Sequence, residues 1–187
     1  MRQAAIRKII ASTKAIERFW RQAHGWAPAD AADLLAAARL DRQVSFTHTL
    51  SDYLKLFPPE QVEARQILGY TTLRSLCEGV LRLFFAVYLE DYCRDAESVR
   101  DKEGILVSPE DISFDRLIAL YSKKVDSQYD TFLRRVQQRG NCIHHFKNRD
   151  IGIQDELIAD IIQFRDFLLV VNSRLPYPDD FYDPDRA

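Results

Sequence analysis

Residues 60–93 read EQVEARQILGYTTLRSLCEGVLRLFFAVYLEDYC, the longest segment of this chain with a helical pattern and also the most apolar. Its apolar residues cover most of the circumference of an ideal helix: Ile67, Leu73, Leu76, Val80, Leu81, Phe84, Val87, Tyr88 and Leu89. A helix that is apolar on nearly all sides is normally surrounded by other helices. The sequence therefore predicts a central helix over residues 60–93.

Two kinds of residue interrupt this apolar segment. Gly69 and Gly79 each lower helix propensity by roughly 1 kcal/mol relative to alanine, so their presence predicts close approach of a neighbouring helix. Arg74, Glu78 and Arg82 recur at four-residue steps and form one charged ladder along a helix face. The ladder is either a set of ion pairs at the edge of the core, or a support in which Glu78 orients a catalytic arginine or histidine.

Five further helices are predicted around the central one, because apolar residues recur at three- and four-residue steps in each. They cover residues 2–24, 31–57, a short segment after Ser113, 127–146 and 154–172. No segment alternates apolar and polar residues at a two-residue period. The chain is therefore predicted to be all-α, an antiparallel up-and-down bundle of about five to six helices.

The length of 187 residues predicts one domain over residues 1–175. Within it, N-terminal helices in residues 1–57 precede a core bundle in residues 60–173. Residues 176–187 read as an acidic, proline-marked tail. Hydrophobic residues make up 47% and charged residues 29% of the chain, a balance typical of a soluble globular protein.

Charge, cysteine usage and apolar runs narrow the functional classes. The formal charge of −2 does not indicate a nucleic-acid binder, so any such function must depend on local clustering. Cys77, Cys93 and Cys142 are odd in number and form no C-x-x-C pair, which predicts reduced thiols in a cytoplasmic protein. The longest apolar run, residues 76–89, contains two charges, so no membrane span is predicted.

The second informative stretch is RRVQQRGNCIHHFKNR, residues 134–149. No Asp or Glu occurs between Thr131 and Arg149, and residues 139–145 contain an arginine, an asparagine and two histidines. The cations of the stretch are Arg134, Arg135, Arg139, Lys147 and Arg149. Clustered cations of this kind predict a surface that binds the phosphates of RNA or of a nucleotide.

These residue types also suit RNA cleavage. Cleavage through the ribose 2′-OH requires removal of a proton from that hydroxyl and delivery of a proton to the leaving oxygen. Histidine can do either near neutral pH. A guanidinium can stabilise the negative charge of the transition state through paired hydrogen bonds. Asn141 can hold a phosphate oxygen or fix the histidine tautomer, and no metal or other cofactor is needed.

The segment Arg139-Gly140-Asn141-Cys142-Ile143-His144 resembles the R-x4-H motif of the HEPN superfamily (higher eukaryotes and prokaryotes nucleotide-binding). Residues 141–146 also look like the RN-x-I-H-x-F segment of some bacterial relatives. The resemblance covers residues 60–172 and implies an up-and-down helical bundle with the motif late in the chain. It further implies a metal-independent ribonuclease, often a toxin or an antiviral effector, that acts as a homodimer.

On this resemblance Arg139 and His144 are the expected catalytic pair, supported by Asn141 and His145. The expected partners are RNA or a nucleotide, a second copy of the chain, and an antitoxin or another regulatory protein. Two positions depart from the family pattern. Phe146 replaces a tyrosine that partner nucleotidyltransferases modify in some toxins, and Gly140 stands where relatives often carry a polar or basic residue.

If the helix ran continuously to Phe146, Arg139 and His144 would lie about 140° apart around it. They would then share a groove only if Arg139 reached across, or if two protomers each contributed a helix. Asn141 and His145 are four residues apart and would share a face. Either His144 or His145 is therefore the candidate reactive histidine.

Three functions fit these patterns. The first is a metal-independent endoribonuclease centred on Arg139 and His144. The second is a catalytically inactive HEPN-like module that binds RNA or a nucleotide through its arginines and Lys147. The third is a protein-interaction module in which the basic segment meets an acidic surface, for example the chain's own tail at Asp179, Asp180, Asp183 and Asp185.

Overall fold

The computed structural model of the chain describes residues 2–143 and 148–178. Within these two ranges the protein contains eight α-helices and no β-strand, which confirms the all-α class with more helices than predicted. Two 3₁₀ turns, Leu50–Leu54 and Pro59–Gln61, precede the fourth helix. The α-helices are α1 (Arg2–Trp20), α2 (Ala29–Ala37), α3 (Leu40–Thr49), α4 (Val62–Val87), α5 (Leu89–Arg94), α6 (Phe114–Lys124), α7 (Asp130–Gly140) and α8 (Gln154–Ser173).

The helix α4 lies at the centre of the bundle, as its apolar composition predicts. It packs against α2, α3, α6, α7 and α8. Tyr70, Leu73, Cys77 and Leu81 along it are completely buried. One hydrophobic core unites side chains from all eight helices around it, because the apolar faces of the outer helices point inward.

The two α4 glycines mark close approaches, as predicted. A methyl group added at Gly69 would collide with the side chain of Leu157 on α8. One added at Gly79 would collide with the amide of Gln43 on α3. Gly69 therefore lies directly against the buried Leu157, whereas at Gly79 a larger residue would require only the end of the flexible Gln43 side chain to move.

Two of the predicted helices are divided. The predicted helix over residues 31–57 is wrong as a single element, because Ala38 is extended with ψ 137° between α2 and α3. The break lets α2 pack on α4 while α3 packs on both α1 and α4, which buries Leu35 and Leu40 together. The predicted central helix likewise divides at Tyr88, whose ψ is 36°.

The helix that carries the basic segment is shorter than predicted. It ends at Gly140, and not at Phe146, since Asn141 leaves helical geometry with ψ 3°. A Cβ at Gly140 would lie 2.6 Å from Cβ of Arg74 and 3.0 Å from the carbonyl oxygen of Tyr70. The end of α7 therefore rests directly on α4, and only glycine fits there.

Aromatic side chains join α1 to the segment that follows α8. Trp20 at the end of α1 donates a hydrogen bond of 3.0 Å from Nε1 to the hydroxyl of Tyr177. The Tyr177 ring also packs on Phe19, with ring centroids 4.9 Å apart. The predicted α8, residues 154–172, is confirmed to within one residue.

Candidate functional site

A groove of about 880 Å³, here called the arginine groove, runs along α7 and the segment that follows it. Its lining contains most of the cationic and amide residues that the sequence predicted: Arg134, Arg135, Arg139, Asn141 and Arg149. Gln137, Gln138, Thr131 and two aspartates, Asp130 and Asp150, complete it. The structure thus brings together every predicted site residue that it describes, apart from Glu78. The predicted residues His144, His145 and Lys147 lie outside the described residues.

Arg139 forms the base of the groove and is only 7% exposed. Its Nη1 donates a hydrogen bond of 2.7 Å to the hydroxyl of Tyr70, and the guanidinium lies 5.2 Å from the centroid of that ring. Nε and Nη2 donate to Oδ2 of Asp150 at 3.1 and 2.8 Å. Nη2 also lies 3.1 Å from Oε2 of Glu156. Three nitrogens are therefore engaged, which fixes the orientation of the guanidinium.

The loop before α8 is shaped around this arginine. Gly152 has φ +69°, a conformation that favours glycine. A Cβ at Gly152 would lie 2.6 Å from Nη1 of Arg139. The N–H of Gly152 donates to Oδ1 of Asp150 at 2.9 Å, which holds that carboxylate toward the guanidinium.

A buried chain of hydrogen bonds continues from Arg139 into the core. The hydroxyl of Tyr70 accepts from Arg139 and donates to Oδ2 of Asp160 at 2.8 Å. Asp160 is 2% exposed and accepts from Nη2 and Nε of Arg135 at 2.6 and 3.1 Å. Nη2 of Arg135 also donates to Gln163 at 3.2 Å. Two groove arginines are therefore coupled through one tyrosine and one carboxylate.

Burial and pairing set the charge states of this network. Burial opposes the charge of Arg139, but hydrogen bonds to Asp150 and Tyr70 outweigh it and raise the pKa of Arg139 above its ordinary value. Burial, reinforced by Asp160, raises the pKa of Tyr70. The hydrogen bonds from Arg139 and from the Gly152 N–H lower the pKa of Asp150. Near neutral pH the arginine is charged, the tyrosine is a neutral donor and Asp150 is ionised.

The remaining groove arginines differ in how they are paired. Arg134 lies 3.0 Å from Asp130 and 3.3 Å from Asp115. Arg149 is exposed and donates to the carbonyl oxygen of Asn141 at 3.4 Å, and it has no ion pair with any residue of the described ranges. Arg149 is therefore the groove cation most available to an anion from solution.

Glu78 does not belong to this groove. Its carboxylate lies 2.7 Å from Nη2 of Arg82 and 3.4 Å from Nη2 of Arg74. The ion-ladder interpretation of these three residues describes the observed contacts. The carboxylates next to Arg139 are Asp150 and Glu156. An orienting role of Glu78 toward a catalytic histidine stays a prediction, because His144 and His145 lie outside the described residues.

The cysteine of the basic segment is buried and engaged by backbone. The Cys142 thiol donates to the carbonyl oxygens of Gln138 and Asp150, each at 3.5 Å. Burial raises the pKa of this thiol. Over residues 2–143 and 148–178, no three His, Cys, Asp or Glu side chains converge as metal ligands would.

Sequence patterns missed four residues that contact the groove arginines: Tyr70, Asp150, Glu156 and Asp160. One signal pointed to Asp160, because it interrupts the buried stripe formed by Leu157, Ile161 and Phe164 on α8. An acid on an otherwise apolar face needs a buried partner. Tyr70 gave no comparable signal, since tyrosine is common in helical cores.

Comparison of the chain with protein-family models, with curated proteins and with solved structures found no match. No helix in the described part of the chain combines the length and the apolar character needed to cross a membrane.

Proposed function

We propose that this chain binds RNA in the arginine groove and cleaves it as a metal-independent endoribonuclease of the HEPN type. The observation that carries the proposal is the convergence of Arg135, Arg139, Asn141 and Arg149 on one open groove. His144 follows Asn141 by three residues in the chain. Phosphate oxygens accept hydrogen bonds from guanidinium groups in pairs, so a groove lined by arginines suits a phosphodiester backbone.

The proposed reaction is an intramolecular transesterification. His144 removes the proton from the ribose 2′-OH, the O2′–P bond forms, and the bond from phosphorus to the 5′ oxygen breaks. The leaving oxygen takes a proton from an imidazolium or from water, which leaves a 2′,3′-cyclic phosphate and a 5′-OH. Arg139 and Asn141 stabilise the charge on the phosphoryl oxygens, and His145 is the alternative acid–base residue.

A second candidate is a catalytically inactive module that binds RNA or a nucleotide through the same groove. The observation that favours it is the saturation of Arg139 by Asp150, Glu156 and Tyr70, which leaves little of its guanidinium for a phosphate. Binding would then depend on Arg149 and on the partly exposed Arg134 and Arg135.

An assay of RNA cleavage in excess EDTA distinguishes the two candidates. We expect wild-type protein to cut single-stranded RNA and His144→Ala to lose cleavage while it retains binding. His145→Ala tests the alternative histidine. Salt-sensitive RNA binding without product in the wild type would favour the inactive module, and the absence of both binding and cleavage would refute the proposal.

The expected homodimer and the expected antitoxin or regulatory partner are parts of the same proposal. Sedimentation over a range of concentrations tests self-association, and a strictly monomeric chain would remove the dimer. The third function, a protein-interaction module, predicts that removal of residues 179–187 changes self-association while RNA has no effect.

A further inference from the structure

A second cavity lies on the other side of α4, between that helix and the α2–α3 pair, and it has a volume of about 510 Å³. This is within the size range of small-molecule sites, roughly 300–1,000 Å³. None of its lining residues lines the arginine groove. The proposed ribonuclease does not use it, so any function there is independent of that proposal.

One wall of this cavity is apolar. It is formed by the side chains of Leu34, Leu35, Leu40, Phe46, Leu83 and Ala86. Phe46 is 42% exposed, although its large aromatic ring would favour burial. An occupant of the cavity would cover this ring, so the wall fits the hydrocarbon body of a ligand.

The same cavity is also lined by side chains with N–H groups that make no hydrogen bond to any described residue. Arg42 lines the cavity and makes no ion pair with any residue that the structure describes. The Nη2 of Arg82 is occupied by Glu78 and by the carbonyl oxygen of Ile112, whereas its Nη1 makes no hydrogen bond within the described ranges. Gln43 packs its amide over Gly79 and likewise has no hydrogen-bond partner among them. Three side chains therefore offer N–H groups to the same space.

The lining holds two carboxylates, Glu78 and Glu110, against three arginines, Arg39, Arg42 and Arg82. Glu78 is already shared between Arg74 and Arg82, and Arg39 pairs with Asp41 at 2.7 Å. Glu110 lines the exposed rim of the cavity. Arg42 is exposed, so water solvates its guanidinium in the absence of a ligand. A carboxylate can replace that water, since a hydrogen bond between charged groups is about twice as strong as one between neutral groups.

We propose that this cavity binds a small carboxylic acid with an apolar body, of the size of a medium-chain fatty acid. The carboxylate accepts hydrogen bonds from Arg42, from Nη1 of Arg82 and from the Gln43 amide. The hydrocarbon lies against Phe46 and the leucines of α2 and α4. A neutral alcohol of the same length offers one hydroxyl oxygen and no charge, so it binds more weakly.

The test uses decanoate as the probe and decanol as the neutral comparison, with the full chain, by NMR chemical-shift titration and calorimetry. We expect decanoate to shift amide signals around Gly79 and Phe46 and to bind at least about tenfold more tightly than decanol. Absence of decanoate binding, equal binding of decanol, or shifts confined to other regions would each overturn the proposal.

A pair of arginine variants separates the site from general charge attraction. Arg42→Ala removes an exposed cation of the cavity, and Arg116→Ala removes an exposed cation of α6 outside it. We expect decanoate affinity to fall about tenfold in Arg42→Ala and to stay unchanged in Arg116→Ala. Equal effects in both variants would show that decanoate is attracted by net charge alone, which contradicts a built site.

Discussion

Replacement of Asp150 by asparagine should strengthen the binding of RNA to the arginine groove. Asp150 places one carboxylate oxygen 3.1 Å from Nε and 2.8 Å from Nη2 of Arg139, on the edge of the guanidinium that a phosphate would use. The Asp150 side chain is 76% exposed, so an incoming anion can displace it. The Asp150 carboxylate thus competes with the phosphate for Arg139. Asp150→Asn removes the negative charge and weakens this competition.

The size of the effect follows from the contacts. Two unit charges about 4 Å apart in water-like surroundings interact by about 1 kcal/mol. Exposed ion pairs are measured at about 0–1 kcal/mol. Loss of the competing charge should therefore tighten RNA binding by at most about fivefold, since 1.4 kcal/mol corresponds to about a factor of ten. Glu156 remains near the guanidinium in the variant, which limits the gain.

The assay is fluorescence anisotropy of a labelled oligoribonucleotide in EDTA, with His144→Ala present in every protein so that cleavage cannot interfere. The matched control is Asp155→Asn, because Asp155 is 80% exposed, and it lies 3.6 Å from Arg2, outside the groove. Both changes add the same net charge. Equal affinity gains in the two variants would refute the competition and leave only general electrostatics, while RNA binding itself would still be established.

The same residue predicts a pH dependence of stability. Arg139 and the Gly152 N–H lower the pKa of Asp150 in the folded protein below its ordinary value of 3.8. A lowered folded-state pKa stabilises the fold above the unfolded-state pKa and ceases to do so as pH falls through the lower value. Thermal unfolding below pH 4 should therefore be less pH-dependent in Asp150→Asn than in wild type. Parallel curves would contradict this.

Three further substitutions test the stability of the groove and its binding of RNA. Tyr70→Phe removes the hydroxyl between Arg139 and Asp160. It should destabilise the protein by about 1–3 kcal/mol, because two buried polar groups lose a partner. A melting temperature equal to that of the wild type would contradict this. Gly140→Ala places a methyl group against Arg74. Chemical denaturation should show that the free energy of unfolding falls by about 1–3 kcal/mol. An unchanged midpoint would mean that α7 can shift to make room for the methyl group. Arg149→Ala should leave the melting temperature unchanged but weaken RNA binding and reduce its salt slope by about 1, and an unchanged slope would exclude a phosphate contact.

The sequence predicted elements well where one segment alone determined the structure. The predicted range of α8 agrees closely with the structure, and the predicted central helix is found as α4 up to Val87, because long apolar stripes must be buried whatever surrounds them. The basic segment was also predictable as a cluster, since its cations are neighbours in the chain. Helix ends that involve contacts with distant residues were not predictable. At the end of α7, Gly140 lies against Arg74, which is 66 positions earlier, and no local pattern indicates that contact.

The partners of the groove arginines were missed for the same reason. Tyr70 and Asp160 meet across 90 positions of sequence, and Arg135 and Asp160 meet across 25. No periodicity in one helix specifies which residue of another helix it faces. The prediction that Arg139 and His144 diverge on one helix was based on a helix extending to Phe146. Because α7 ends at Gly140, that angle does not apply.

The aromatic contact between α1 and Tyr177 has a consequence for synthesis on the ribosome. Trp20 and Tyr177 are 157 positions apart, so α1 leaves the exit tunnel long before the residue that covers its end. Trp26, only six positions after Trp20, packs on both Phe19 and Trp20, whereas Tyr177 joins these rings at the end of the described chain. Because domains fold as they emerge from the ribosome, this aromatic cluster is completed only after all of α8 has been synthesised.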